Sequence, residues 1–288
     1  MALAALLPIL APAVLPEGLP CRTANGRVYV RARAGEALGW WLVDTGATHT
    51  VVSPRTAHGW PRAVGVPREA DAYGLSGWAV PPLIRLGGQA LRLGRAAILP
   101  RLSERFLAED EVFISGILGW DALGQGRWRL DPARNTVHVM ASASRRPAEV
   151  KHHWPLEARH GSPVLRLRHA SGRQWAMLLD TGTDALLLRA SEARLAGWQG
   201  AEQAQAGARL QGLASAQPSW SWKTRLDSRG PLSALQTILV AARAPMDWVD
   251  GVLGTGFLSG RTLWWDGPSG WWGLSGTGPH RPPGRDPA

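Results

Sequence analysis

Apolar and polar positions follow the same course in two stretches of the chain, 136 residues apart. Residues 28–46 read VYVRARAGEALGWWLVDTG and residues 164–182 read VLRLRHASGRQWAMLLDTG. Each opens on alternating apolar and polar side chains, passes a turn containing a glycine (Gly35, Gly172) and becomes a continuous apolar run. Alternation marks a strand with one face in water, and a short continuous run marks a strand covered on both faces. The pattern predicts two hairpins, each with a buried second arm ending on an aspartate. Overlaid without a gap, it matches Val28 with Val164.

The likeness continues downstream. Residues 113–123 (FISGILGWDAL) and 248–258 (WVDGVLGTGFL) share the frame aromatic, two residues, Gly, β-branched, Leu, Gly, three residues, Leu. Gly119 follows Asp44 by 75 positions and Gly254 follows Asp180 by 74; twelve residues further on stand Asp131 and Asp266, each between strand-like runs. Fixed offsets of this kind signal an internal repeat. The expected organisation is a leader (1–21), a first lobe (22–142), a connector (143–160), a second lobe (161–276) and a Gly/Pro/Arg-rich tail (277–288) with little to bury. Both lobes read as short strands broken by Gly and Pro, with one short helical segment after Gly119 and Gly254 and a further helical turn over 191–195. The fold class is mostly β.

Composition narrows the function classes. The 288 residues are 45% hydrophobic, enough for a large core, and carry a formal charge of +10. The positive residues are scattered arginines beside two lysines, Lys151 and Lys223, with neither a recognition-helix pattern nor a basic stripe interleaved with aromatics. Nucleic acid is therefore not the expected partner. One cysteine, Cys21, rules out an internal disulfide and a multi-cysteine metal site, and the eight histidines form no H-x-x-x-H pattern. His152 and His153 fall in the expected connector. The sixteen tryptophans, several in pairs (Trp40-Trp41, Trp264-Trp265, Trp271-Trp272), would suit a cleft for large apolar side chains, but most fall in predicted strands and are assigned to core or interlobe packing. The first 16 residues are apolar and uncharged, with Ala11-Pro12-Ala13 resembling a cleavage site. That suggests export to the periplasm or beyond, with membrane association through this segment as an alternative. GTGFLSG at 254–260 lacks dinucleotide-motif spacing.

An aspartate at the end of a buried strand is costly unless it has work to do. Two such aspartates, close enough to share a proton, supply both a base and an acid, because like charges at that distance do not both ionise cheaply. With the apolar strand, Asp-Thr-Gly and the hydrophobic-hydrophobic-Gly about 75 residues later, all present twice, the chain resembles the aspartic peptidases. Its short lobes are similar to retropepsins fused in tandem, over residues 28–274.

The resemblance implies a bilobal acid-protease fold, two pseudo-symmetric β-barrel lobes with the active-site cleft between them. It further implies hydrolysis of peptide bonds by an Asp44/Asp180 dyad, with the proton assigned to neither. Thr45 and Thr181 would hydrogen-bond across the lobe junction, and Gly46 and Gly182 would allow a tight loop. Gly119 and Gly254 would let the next strand pack beneath it, with Ile117, Leu118, Val252 and Leu253 as core. Thr183 could bond the outer oxygen of its Asp, where the first lobe has Ala47; the missing hydroxyl suggests a mildly acidic optimum. Asp184 matches a substrate-backbone contact that Thr48 departs from, so unequal subsites are expected. Tyr73, Gly74 and Trp78 resemble a flap tip over bound peptide, or an ordinary hairpin turn; residues 212–222 would be a second flap or a surface loop. No metal or organic cofactor is required. The expected partner is a peptide or unfolded protein and the expected state a monomer, with a weakly cleaving peptide-binding module and a dimer pairing like repeats as rivals.

Overall fold

A computed structural model describes residues 18–64, 74–140, 145–168, 172–189, 191, 246–258 and 261–276, with backbone alone for short strands between 205 and 241. The first half runs β1 (Leu19–Ala24), β2 (Arg27–Ala34), β3 (Ala37–Val43), β4 (Val51–Val52), β5 (Gly77–Ala79), β6 (Ile84–Leu86), β7 (Gln89–Leu91) and β8 (Ala96–Ile98). Helix α1 (Leu102–Asp110), β9 (Ile114–Leu118), α2 (Trp120–Leu123), β10 (Arg127–Asp131) and β11 (Thr136–Met140) complete it. The second half runs β12 (His152–Arg159), β13 (Ser162–Arg168), β14 (Gln174–Asp180), β15 (Leu186–Arg189), β16 (Gln205–Ala206), β17 (Leu210–Gln211) and β18 (Ala216–Gln217). It ends with β19 (Ser219–Arg225), β20 (Leu235–Ala241), β21 (Gly251–Gly254), β22 (Thr262–Asp266) and β23 (Trp271–Ser275). The protein is mostly β, and all but β17 and β18 join one large mixed sheet.

Both predicted hairpins form, β2–β3 and β13–β14, with Gly35 (φ 59°) and Gly172 (φ 85°) in their turns. Their registers correct the ungapped overlay. Tyr29 lies across from Leu42 and Val164 across from Leu178, so Val164 is equivalent to Tyr29 rather than Val28. The turn in the second half is one residue longer, and the first arm slides to absorb it.

The repeat also begins one strand earlier than the pattern suggested. β1 pairs with β11 and β2, and β12 pairs with β23 and β13. Strand β12 lies within the expected connector and carries His152 and His153, both exposed. Strand β1 takes in Leu19 and Cys21 from the expected leader. Both strands alternate too weakly in polarity to read as strands alone; their partners define them. Cys21 is half-buried, and burial followed by the Asp131 charge pushes its thiol up to about 11.

Hydrogen-bonded neighbours run β1–β11–β10–β22–β23–β12, a palindrome of equivalent strands centred on the β10–β22 pairing. There Trp128 faces Trp265, rings stacked 5.6 Å apart and within 8° of parallel, both fully buried. Arg127 bonds Asp266 through Nε (2.9 Å) and a terminal nitrogen (2.8 Å), a buried bidentate pair across the same seam. Asp131 and Asp266 play one local part: each accepts the N–H three residues on, from Arg134 (3.2 Å) and Ser269 (3.1 Å), closing the turn to the next strand. Trp41, Trp264, Trp265 and Trp272 are fully buried and Trp271 nearly so, as the core assignment required.

The segment after Gly119 is α2, whereas after Gly254 it is a 3₁₀ turn over Thr255–Leu258. Residues 192–195 of the expected helical turn lie outside the described residues. Helix α1 was not anticipated. Fifteen residues separate β8 from β9 but nine separate β20 from β21, and this helix lies in the longer connection. Leu102 and Phe106, four apart, bury one face of it against Tyr29, Leu42 and Ile114.

Candidate active site

Strand β3 delivers Asp44 and β14 delivers Asp180 by the same local route. β9 lies parallel to β3 (Leu42 beside Ile117, Val43 beside Leu118) and antiparallel to β4 (Val51 beside Ile117), so it threads between the arms of the Asp44 loop. β21 likewise lies parallel to β14 and antiparallel to β15. The flanking glycines permit this. A Cβ on Gly119 would strike the His49 and Thr50 backbone, and one on Gly254 the Thr183 and Ala185 carbonyls. Ile117, Leu118, Val252 and Leu253 are buried core.

The two loops meet. Thr45 Oγ1 donates to the Leu179 carbonyl (2.7 Å) and accepts the Thr181 N–H (3.0 Å); Thr181 Oγ1 donates to the Val43 carbonyl (2.8 Å) and accepts the Thr45 N–H (3.1 Å). Both threonines are fully buried, so each hydroxyl satisfies backbone groups that would otherwise be stranded. The resemblance implied such a cross-junction lock, and these four reciprocal bonds form it.

With the loops so fixed, the carboxyls of Asp44 and Asp180 come together, each packed against the glycine of the other loop. A Cβ on Gly46 would collide with the Asp180 carboxyl and one on Gly182 with that of Asp44, so glycine is a requirement of the approach. Asp44 Oδ1 accepts the N–H of Gly46 (2.9 Å) and of Ala47 (3.0 Å); Asp180 Oδ1 accepts that of Gly182 (2.9 Å). Burial pushes both carboxyls up. Asp180 is pushed furthest, by burial and then by the Asp44 charge beside it, while the Asp180 carboxyl and the two amides hold Asp44 lower. The pair can therefore hold one proton over a range in which an isolated aspartate is ionised.

The outer positions of the loops differ. Thr183 Oγ1 accepts the Ala185 N–H (3.1 Å) rather than bonding the outer oxygen of Asp180, because the chain turns back towards β15 there. Thr48 Oγ1 shares a hydrogen bond with Ser162 Oγ (3.0 Å), whereas Asp184 is exposed. Asp184 borders a cavity of about 430 Å³ with Asn25, Gly26 and Thr255.

Of the suggested flap residues, Tyr73 lies outside the described residues. Gly74 is exposed at φ 67°. Trp78 is 4% exposed: β5 pairs with β8, and the ring sits edge-on to His49 at 5.2 Å with the Arg95 guanidinium 5.0 Å over it. The structure thus corrects Trp78 from a covering aromatic to a packed one. In the second half, Trp220 and Trp222 belong to β19, paired along its length with β20, and β17 pairs with β18 in a separate two-stranded sheet; residues 212–215 and 218 lie outside the described residues.

Sequence reasoning missed the cluster at the edge of the Asp180 loop. Arg27 Nε donates to the Gly182 carbonyl (3.1 Å), and its far end bonds Glu109 (2.9 Å) and Asp110 (2.9 and 3.1 Å). An arginine opening an apolar strand was the one available signal. Asp121 was missed as well: it accepts the Thr50 N–H (2.9 Å) and hydroxyl (2.7 Å), and burial, only partly offset by those bonds, raises its carboxyl.

Among the described residues no group of three His, Cys, Asp or Glu side chains is placed to hold a metal ion, and no helix is long and apolar enough to cross a membrane. No protein-family model matches the chain, and no curated protein sequence matches it.

Proposed function

We propose that the chain is an aspartic endopeptidase whose two halves are the lobes of a bilobal acid-protease fold, active as a monomer with one cleft. The observation that carries this reading is the pair of carboxyls brought side by side at equivalent strand ends, each against the other loop's glycine and held by reciprocal threonine bonds. Water lodged between the carboxyls loses a proton to the ionised one as its oxygen attacks the peptide carbonyl. The protonated one gives its proton to the carbonyl oxygen. Collapse of the tetrahedral species passes a proton to the leaving nitrogen and returns the pair to one shared proton, with peptide and water consumed and acid and amine formed.

Asp44 Oδ1 has two amide donors where Asp180 Oδ1 has one, and this difference favours the ionised form at Asp44. Exposed Gly74 remains the residue proposed for a covering hairpin, and exposed Asp184, two residues past Gly182, the one proposed for substrate-backbone contact. The substrate class is an extended peptide or unfolded protein, met outside the cytoplasm if the apolar start of the chain directs export.

The test is digestion of a diverse unstructured peptide mixture by the full chain between about pH 3 and 8, read by mass spectrometry beside Asp44→Asn and Asp180→Asn. Defined cuts that vanish in both variants support the reading. Intact peptides throughout, with retained binding, would favour a peptide-binding module instead.

A further inference from the structure

We propose that Arg27 is a positioning residue for the dyad: a strut, braced on helix α1 of the first half, that holds the Asp180 loop of the second. The proposal rests on the aspartic-peptidase reading for its kinetic consequence, but its structural basis is independent of it.

The bracing is dense. Asp110, its side chain fully buried, accepts hydrogen bonds from Arg27, from Asn25 Nδ2 (2.7 Å) and from the Tyr29 hydroxyl. Asn25 Nδ2 also donates to the Glu109 carbonyl (2.8 Å), which ties the β1–β2 turn to the end of the helix. The guanidinium lies 5.3 Å over the Phe106 ring. Four contacts, all from α1, thus fix the far end of a side chain that is 20% exposed, and its Nε is left with the Gly182 carbonyl. Gly182 is the residue whose N–H holds Asp180 and whose missing Cβ admits Asp44, so a shift of this peptide moves both carboxyls.

Among the described residues the device occurs once. By strand register Arg27 corresponds to Ser162, each being the first residue after its positive-φ glycine, Gly26 or Gly161. Ser162 carries no charge and bonds Thr48. The helix that supplies the brace lies in the longer of the two equivalent connections, that of the first half. One loop is therefore held by a charged strut and the other by a neutral hydroxyl pair.

The strut also places a permanent cation beside the pair. The groups facing it are Glu109 and Asp110 from α1, Tyr29 and Asn25 from the first hairpin, and the Gly182 loop with Asp180; Asp44 stands behind that loop, and Arg105 neutralises Glu109 from outside (2.9 Å). Against the upward push of burial, the Arg27 charge draws both dyad carboxyls down. Burial works against the guanidinium, but its bonds to Asp110 and Glu109 outweigh that and keep it charged at every working pH.

The variants Arg27→Gln, Arg27→Lys and Asp110→Asn separate placement from charge. Arg27→Gln is expected to lower kcat about tenfold or more with little change in KM, as misplacement of reacting groups does, and to move the whole pH–rate profile upward. Arg27→Lys is expected to lower kcat similarly while leaving the profile in place. Asp110→Asn, which loosens the brace and keeps the cation, is expected to lower kcat less. If all three merely lower Tm while kcat per folded molecule and the pH profile stay at wild-type values, the proposal is overturned.

The failure of the peptidase reading is distinguishable. Should the wild-type chain cleave nothing, carboxyl ¹³C titration of Asp44 and Asp180 still reads the strut directly. An upward shift in Arg27→Gln but not in Arg27→Lys supports it, and identical titrations in all three proteins sink it.

Discussion

The loops Asp44–Thr48 and Asp180–Asp184 are alike at the centre and different at the rim. At the centre each threonine gives the other loop the bonds it receives, and each glycine makes room for the other carboxyl. At the rim, Asp44 has two amide donors and Thr48 leans on Ser162, whereas Asp180 has the Gly182 amide, Arg27 on its loop and an exposed Asp184. On the proposed peptidase reading, symmetry is kept where two groups share one proton, and lost where they play different parts with it.

The largest test of this contrast is at the carboxyls. Asp44→Asn and Asp180→Asn should each lower peptide cleavage by roughly a thousandfold or more, since neither general base nor general acid survives alone. Retained turnover in either variant, measured with a peptide cut by the wild type, would break the shared-proton account.

Next come the threonines. Thr45→Val and Thr181→Val each strand a buried carbonyl and a buried N–H, at about 1–3 kcal/mol per group. Denaturant unfolding should show both variants destabilised, and by nearly equal amounts. A difference above about 1 kcal/mol, the size of one hydrogen bond, would mean that the central symmetry does not extend to energy.

The pH dependence of stability sharpens the contrast further. The dyad carboxyls are raised in the folded protein, so their contribution is fully present below the ordinary aspartate range and is lost as pH rises through their folded values. Asp110 is the reverse. Burial would raise it, but bonds from Tyr29, Arg27 and Asn25 outweigh burial and lower it. Its contribution is present above the ordinary aspartate range and is lost as pH falls through its folded value. Asp180→Asn should therefore flatten the decline towards neutral pH and Asp110→Asn the decline in acid, as Tm across buffers would show; the reverse outcome would contradict a raised dyad and a lowered Asp110.

The smallest effect is expected at Thr48→Val, which breaks one hydrogen bond with Ser162 for about 1 kcal/mol and leaves Asp184 untouched. With peptides varied on each side of the scissile bond, it should alter preference on one side only.

What the sequence made legible follows from periodicity. Apolar runs into Asp44 and Asp180, with glycines at matched offsets, exposed the hairpins, the threading strands and the meeting of the carboxyls, because each needs a residue type that nothing else replaces. β1 and β12 stayed hidden because they alternate weakly: the two-residue turns to their neighbours (Asn25-Gly26, His160-Gly161) were the local signal, and their other edges are held by partners more than 100 residues away (Leu19 with Val137, His152 with Leu274). Arg27 was invisible because its partners sit on a helix 82 residues on and a loop 155 residues on. The one-residue slip between hairpins arises in turn length, which an ungapped overlay conceals.

The seam between β10 and β22 carries a consequence for how the halves tolerate being parted. Arg127 stands opposite Asp266, which is fully buried. By offset from Asp131 and Asp266, the second-half counterpart of Arg127 is Thr262. Were two copies of the second half to dock through this edge, each would press Asp266 against a threonine, with no guanidinium to meet the charge, a cost of several kcal/mol per ion. Two copies of the first half would set Arg127 against Asp131 and incur no such cost. Severed between β11 and β12, the protein should therefore reassemble by fragment complementation, with the second fragment obliged to seek the first.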